Sequence, residues 1–96
     1  MKEKRIGVAI IGCGEISSYH MDALRLIPEA RITVCCDIVK ERAERAAGHE
    51  AAVETDYHRA VARKDVDLVF ILTPNDSHCE IAVEAAKEKK AIFVQK

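Results

Sequence analysis

Val8-Ala9-Ile10-Ile11-Gly12-Cys13-Gly14-Glu15-Ile16-Ser17 is the stretch that decides the fold. Four apolar residues in a row stop at a glycine, a second glycine stands two residues later, and a helical pattern begins. An unbroken apolar run of this length reads as a strand buried on both faces, as in a parallel sheet, followed here by a tight turn and a helix. The first glycine permits the turn, and the second lets a ligand approach the backbone with no Cβ in the way. The helix start offers unpaired N–H groups and a partial positive charge, which suits a phosphate group. Ser17 stands where a third small residue lets the helix pack closely on the strand.

Working outward, the chain alternates strand and helix throughout. Residues 5–11 read as the first strand and 15–27 as a helix, with Ile16, Tyr19, Ala23, Leu24 and Ile27 as its apolar stripe and Pro28 as its stop. Residues 31–36 form a second strand ending at Asp37, and 39–47 a second helix with Gly48 just past its end. A short strand at 51–54 precedes a helix over 57–63 capped by Asp56. Residues 67–73 are the most apolar strand. Ser77-x-x-Glu80 reads as a capping box that opens a helix to about Lys89, and 91–95 is a last strand. This order predicts an α/β fold: a Rossmann-like parallel sheet with helices on both faces and right-handed crossovers.

Ninety-six residues predict a single domain. A chain of this length buries roughly 60–65% of its unfolded surface, enough for a modest core. Acids and bases interleave to a net charge of −1, no basic stripe points to nucleic acid, and the few aromatics offer no stacking platform. No apolar run reaches the roughly 18–20 residues that cross a bilayer. The run Ile6–Ile11 is too short for a secretory signal, so a cytoplasmic location is expected, with neither membrane nor nucleic acid as partner. Cys13, Cys35, Cys36 and Cys79 contain no C-x-x-C pair and read as reduced thiols, with Cys35 and Cys36 on opposite faces of their strand. Cys13 would be reactive only if the helix start lowered its pKa. His20 reads as a partly buried helix residue with no second ligand at metal spacing, so no metal site is expected.

Three further signals carry chemistry. Asp37 lies at the end of the second strand, 20 residues after Ser17. In a dinucleotide-binding fold an acid there accepts hydrogen bonds from the adenosine ribose and repels a 2′-phosphate, which favours NAD over NADP. A plain helix cap is the competing role for Asp37, and Arg42, one turn into the next helix, is the residue that would favour NADP. The loop Thr73-Pro74-Asn75-Asp76-Ser77-His78 follows the fourth strand, beside the point where ligands of open α/β sheets collect. There Asn75 suits a ribose or carboxamide, and His78 suits either acid–base work or packing. Lys96, just past the last strand, emerges at the same edge, where it would donate to a substrate oxygen or be merely solvated.

Together these stretches resemble the N-terminal domain of the glucose–fructose oxidoreductase, inositol dehydrogenase and rhizopine-catabolism (Gfo/Idh/MocA) family. The carrying residues are 8–20, Cys36-Asp37, Asp67-Leu68-Val69, Thr73–His78 and Val94-Gln95-Lys96. The resemblance implies a domain that binds NAD, NADP less so, and a hydride transfer involving a sugar, cyclitol or related alcohol. It implies that Gly12, Gly14 and Ile16 line the pyrophosphate site, that Asp37 holds the adenosine ribose, and that Thr73, Asn75 and His78 face the nicotinamide. It also raises Lys96 to a catalytic residue contacting the substrate near the hydride. Family members usually carry Glu-Lys-Pro here; Gln95 replaces the glutamate and loses its charge. They also continue into a second domain that supplies substrate contacts, an acid–base and an oligomer interface. Residues 1–96 are therefore expected to be the NAD(P)-binding part alone, without the substrate domain, inactive by itself and homo-oligomeric when full length. The competing readings are a non-catalytic NAD(H)-sensing module and an S-adenosylmethionine methyltransferase, the latter poorly served by the Thr-Pro-Asn-x-x-His loop.

Overall fold

The computed structural model describes residues 5–95, and the side chains of all of these except Asn75 and Asp76. The elements are β1 (Ile6–Ile11), α1 (Glu15–Arg25), β2 (Ala30–Cys36), α2 (Lys40–Ala47), β3 (Ala52–Glu54), α3 (Tyr57–Ala62), β4 (Leu68–Ile71), α4 (Asn75–Lys87) and β5 (Ala91–Val94). The strands form one parallel sheet in the order β3-β2-β1-β4-β5. β1 is its centre. Ile10 sits between Cys35 and Phe70, and Ile11 between Cys36 and Ile71. The expected α/β architecture is what the chain adopts.

Side-chain alternation divides the core in two. Val8 and Ile10 of β1, with Ile32 and Cys35 of β2, pack beneath Met21 and Leu24 of α1 and Ala43 and Ala47 of α2. Ala9 and Ile11, with Val34, Cys36, Val69 and Ile71, pack beneath Ala60 and Val61 of α3 and Ile81 and Ala85 of α4. Helices thus cover both faces, and the unbroken apolar run in β1 follows because both faces are dry. The register of β1 on β2 slips by one residue between Val8 and Ala9. The slip passes over Thr33, whose hydroxyl donates to the Val8 carbonyl at 3.3 Å. This bulge resets the alternation, so that Cys35 shares a face with Ile32 while Cys36 falls on the other.

Two local expectations fail. The apolar stripe of α1 runs through Ser17, Met21 and Leu24, not through Ile16, Tyr19, Ala23 and Ile27. Ile16 is 41% exposed and Tyr19 76%. The phase is set at the helix start, where the Ser17 hydroxyl and amide both donate to the Gly14 carbonyl, at 2.6 and 3.1 Å. That turns Ser17 onto the sheet, and Ile16, about 100° away around the helix, faces out. The capping box at Ser77 does not form either. α4 begins two residues earlier, at Asn75, with Pro74 in the extended conformation before it and no side-chain cap. Ser77 is inside the helix, its amide donating to the Pro74 carbonyl at 3.0 Å. The other helix signals hold: Asp56 accepts from the His58 amide at 2.9 Å to cap α3, and Gly48 ends α2 with φ 53°.

Among the described residues no helix is long and apolar enough to cross a membrane, and no group of acids, histidines and cysteines gathers to hold a metal ion.

Candidate functional site

β1 lies between β2, reached through α1 on one face, and β4, reached through α3 on the other. Connections therefore diverge at the C-terminal edge of β1, where a crevice opens in folds of this kind. A cleft of about 700 Å³ lies there, bordered by the β1–α1 turn, the β2–α2 turn and the β4–α4 loop. Gly12, Gly14, Asp37 and Thr73 all line it.

Gly12 has φ +99°, and a Cβ on it would come within 2.9 Å of the Leu72 carbonyl carbon and the Thr73 nitrogen. The turn and the β4–α4 loop thus touch backbone to backbone, which only glycine allows. The Gly12 amide donates to the Cys36 carbonyl at 2.8 Å, fixing the turn to the end of β2. Gly14 is different. A Cβ there would meet nothing within 4 Å, and no side chain caps α1. The protein leaves open the space at the helix start that borders the cleft.

Asp37 ties the turn to the next one. One carboxylate oxygen accepts from the Cys13 amide at 2.8 Å, and the other from the Val39 amide at 2.8 Å. Asp37 does not cap α2, whose first turn has no side-chain cap; it fixes the chain at Val39, just before the helix, and also faces the glycine turn. A carboxylate offers about four lone-pair positions, so about two remain.

On the far wall, the Thr73 hydroxyl is buried and has no hydrogen-bond partner among the described residues. Native structures rarely leave such a group unpaired. The Thr73 carbonyl accepts from Nε2 of His78, so the His78 ring holds its own loop together. Asn75 is the first residue of α4 and its side chain is outside the described set, as is the whole of Lys96. Ile16 lies in the first turn of α1 facing outward and does not line the cleft.

Sequence reasoning missed several residues that line the cleft, Ile38, Thr55, Tyr57 and Ile81 among them. Ile38 had a signal: an isoleucine directly after the strand-ending acid, 90% exposed in the structure. It also missed what His20 does. Nε2 of His20 pairs with Oε1 of Gln95 at 3.0 Å, and its ring sits 5.8 Å from Phe70 and 5.6 Å from Phe93. That contact fastens α1 to the end of β5.

Cys13 is buried, and a hydrogen bond with the Cys35 side chain, together with burial, holds its thiol well above the ordinary range. That direction runs against the lowered thiol pKa that activation by the helix start would require. Burial, with Glu54 and Asp37 nearby, pushes the Cys36 thiol up to about 12.

Residues 6–96 match the sequence model of an oxidoreductase family described by its NAD-binding Rossmann fold. The chain is 35% identical over 91 residues to inositol 2-dehydrogenase of Salmonella typhimurium, covering 91% of this chain and 27% of that protein. It is 32% identical over 98 residues to scyllo-inositol 2-dehydrogenase (NAD(+)) of Bacillus subtilis, covering 98% and 28%. An oxidoreductase domain protein from Kribbella flavida superposes with a TM-score of 0.88 at 31% identity, over 98% of this chain and 28% of that one. The chain thus spans little more than a quarter of the length of these relatives.

Proposed function

The chain belongs to the oxidoreductase family with the NAD-binding Rossmann fold, and from that premise we propose that residues 1–96 are the dinucleotide-binding domain of an NAD-dependent dehydrogenase acting on a sugar, cyclitol or related alcohol. A second domain, holding most of the substrate, completes the enzyme in this reading. The relatives named as inositol dehydrogenases support the polyol class.

When bound, the nicotinamide supplies the site that accepts or donates hydride; the rest falls to this chain's residues. Gly12 and Gly14 give the pyrophosphate access to the backbone, and the first turn of α1, including Ile16, supplies N–H groups and the positive end of the helix dipole. Asp37 takes the adenosine ribose hydroxyls on its remaining lone pairs. Thr73, Asn75 and His78 form the nicotinamide side, with the Thr73 hydroxyl finding its partner there. Lys96 donates to the substrate oxygen and stabilises charge that develops on it as hydride moves.

The observation that carries the cofactor assignment is the brace from Asp37 to the glycine turn, 2.8 Å from the Cys13 amide. It sets a negative charge beside the turn, where a 2′-phosphate would meet repulsion, and this is the support for NAD over NADP. Calorimetric titration of the chain with each dinucleotide tests it. NAD should bind more tightly than NADP, and Asp37→Ala should weaken NAD by about tenfold or more while narrowing the difference, as expected for losing a hydrogen bond to a charged group. Equal affinity for the two in the parent chain would overturn the assignment.

A further inference from the structure

His20 lies in the middle of α1 and does not line the cleft. Its ring reaches from the helix to the β5 side of the sheet. It stands against Phe70 of β4 and Phe93 of β5, which pack on each other with ring centroids 4.7 Å apart. Beyond that aromatic pair, Nε2 of His20 meets Oε1 of Gln95 at 3.0 Å. With Oε1 as the acceptor, Nε2 carries the ring proton. Phe93 and Gln95 face α1 together because they are two residues apart, whereas Val94, between them, packs on the opposite core. β5 is an edge strand, paired with β4, and three of its four residues are exposed. Strand ends of this kind fray unless they are tied down. Backbone and side chain both tie this one: the Gln95 amide donates to the Ile71 carbonyl at 3.1 Å, and the Gln95 side chain is held by His20. The next residue in the chain is Lys96. α1 is also the helix whose start borders the cleft, and its rise from Glu15 to His20 is only about 7.5 Å. One short rigid helix therefore links the glycine turn to the end of β5.

We propose that His20 is a positioning residue for Lys96: through Gln95 it fixes the end of β5 against α1, so that the helix that receives the pyrophosphate also sets where the lysine stands relative to the nicotinamide. The proposal rests on the dinucleotide reading above and on the role given there to Lys96. His20 itself touches neither cofactor nor substrate in it. The backbone bond to Ile71 holds the strand end in the sheet but leaves it free to turn about that bond. The side-chain bond to His20 removes this freedom, because its partner belongs to a helix packed on the sheet through Met21 and Leu24. A lysine has a long, rotamer-rich side chain, so fixing its backbone cuts the ordering cost of bringing its ammonium to one place.

The test is NMR of the 96-residue chain saturated with NAD, with affinity measured alongside by calorimetry. The signal read is the nuclear Overhauser peak between the Lys96 ε-methylene protons and the nicotinamide ring protons. The parent chain should show it. His20→Ala should lose it while binding NAD within about twofold of the parent, because the first turn of α1 is untouched. His20→Gln, whose side-chain amide donates at a similar reach, should restore it. Gln95→Ala removes the same bond from the other side and should also lose the peak, which keeps the test decisive where His20→Ala does not fold. A residue that merely stabilised the fold would lower the melting temperature and leave the peak in place. The peak surviving in either folded alanine variant overturns the proposal, and so does its loss in His20→Gln or its absence from a parent chain that binds NAD. A parent chain that binds no dinucleotide overturns instead the functional reading, and this proposal falls with it.

Discussion

The turn after β1 and the loop after β4 border the same cleft, and they are built in opposite ways. The turn is fixed mainly by its own backbone, with Asp37 bracing the Cys13 amide. Gly12 takes a positive φ, donates to Cys36, and lies against the backbone of Leu72 and Thr73. The loop is fixed by side chains and left incomplete. His78 holds the Thr73 carbonyl, and the Thr73 hydroxyl has no partner among the described residues. One wall is a finished piece of fold. The other carries hydrogen-bonding capacity that the protein itself does not use. Stability should therefore sit in the turn, and unspent binding capacity in the loop.

Gly12→Ala breaks the comparison hardest. An alanine there carries both the unfavourable φ and contacts of 2.9 Å with backbone atoms that have no room to retreat. Its cost should be about 3 kcal/mol or more, a large share of the stability of a small domain. Urea denaturation should show the loss directly, and a shift in stability below about 1 kcal/mol would mean that the loop yields easily and the two walls are not rigidly joined.

Gly14→Ala sharpens it. Gly14 stands only two positions beyond Gly12, yet its φ is −78° and its Cβ position is open. The folded chain should be as stable as the parent or gain about 0.5 kcal/mol, because alanine lowers the entropy of the unfolded chain. NAD affinity should fall by about tenfold or more, since the added methyl fills the approach to the helix start. Two glycines of the same motif would then separate by readout, one in denaturation and one in titration. Loss of stability at Gly14, or unchanged NAD binding, would erase that separation.

How much of this was legible in the sequence follows the same division. The glycine turn, the acid ending β2 and the order of elements were all legible, because each is a local property of a few residues. Val8–Ile11 could only be a strand buried on both sides, and its partners follow from alternation. What was hidden depends on pairing. The slip at Thr33 has no composition signal, since it exists only in the register of β2 against β1. Without it the placing of Cys35 on the same face as Ile32 cannot be derived. The sequence of α1 reads with Ile16, Tyr19, Ala23, Leu24 and Ile27 as the stripe, whereas Ser17, Met21 and Leu24 are the buried residues. The less apolar set faces the sheet, because close approach near the turn requires a small residue at Ser17. The contact of His20 with Gln95 joins residues 75 apart and had no local sign at all. In the site, the brace role of Asp37 was half visible: its place was, its grip on the Cys13 amide was not.

Thr73→Val gives the smallest expected effect and addresses the loop alone. Valine matches threonine in shape and removes the hydroxyl that is buried without a partner among the described residues. An unsatisfied buried hydroxyl costs about 1–3 kcal/mol in principle, so its removal should leave stability unchanged or raise it by about 1 kcal/mol. If the hydroxyl is kept to meet the dinucleotide, NAD affinity should drop by about three- to tenfold at the same time, the value of one neutral hydrogen bond. Stability and affinity would then move in opposite directions on a single substitution, as expected of a group whose partner is the ligand. A rise in stability with no change in affinity would instead make Thr73 a flaw in packing and shift the nicotinamide side of the site to Asn75 and His78. A fall in stability would mean that the loop, like the turn, is completed by the protein, and the contrast between the two walls would be gone.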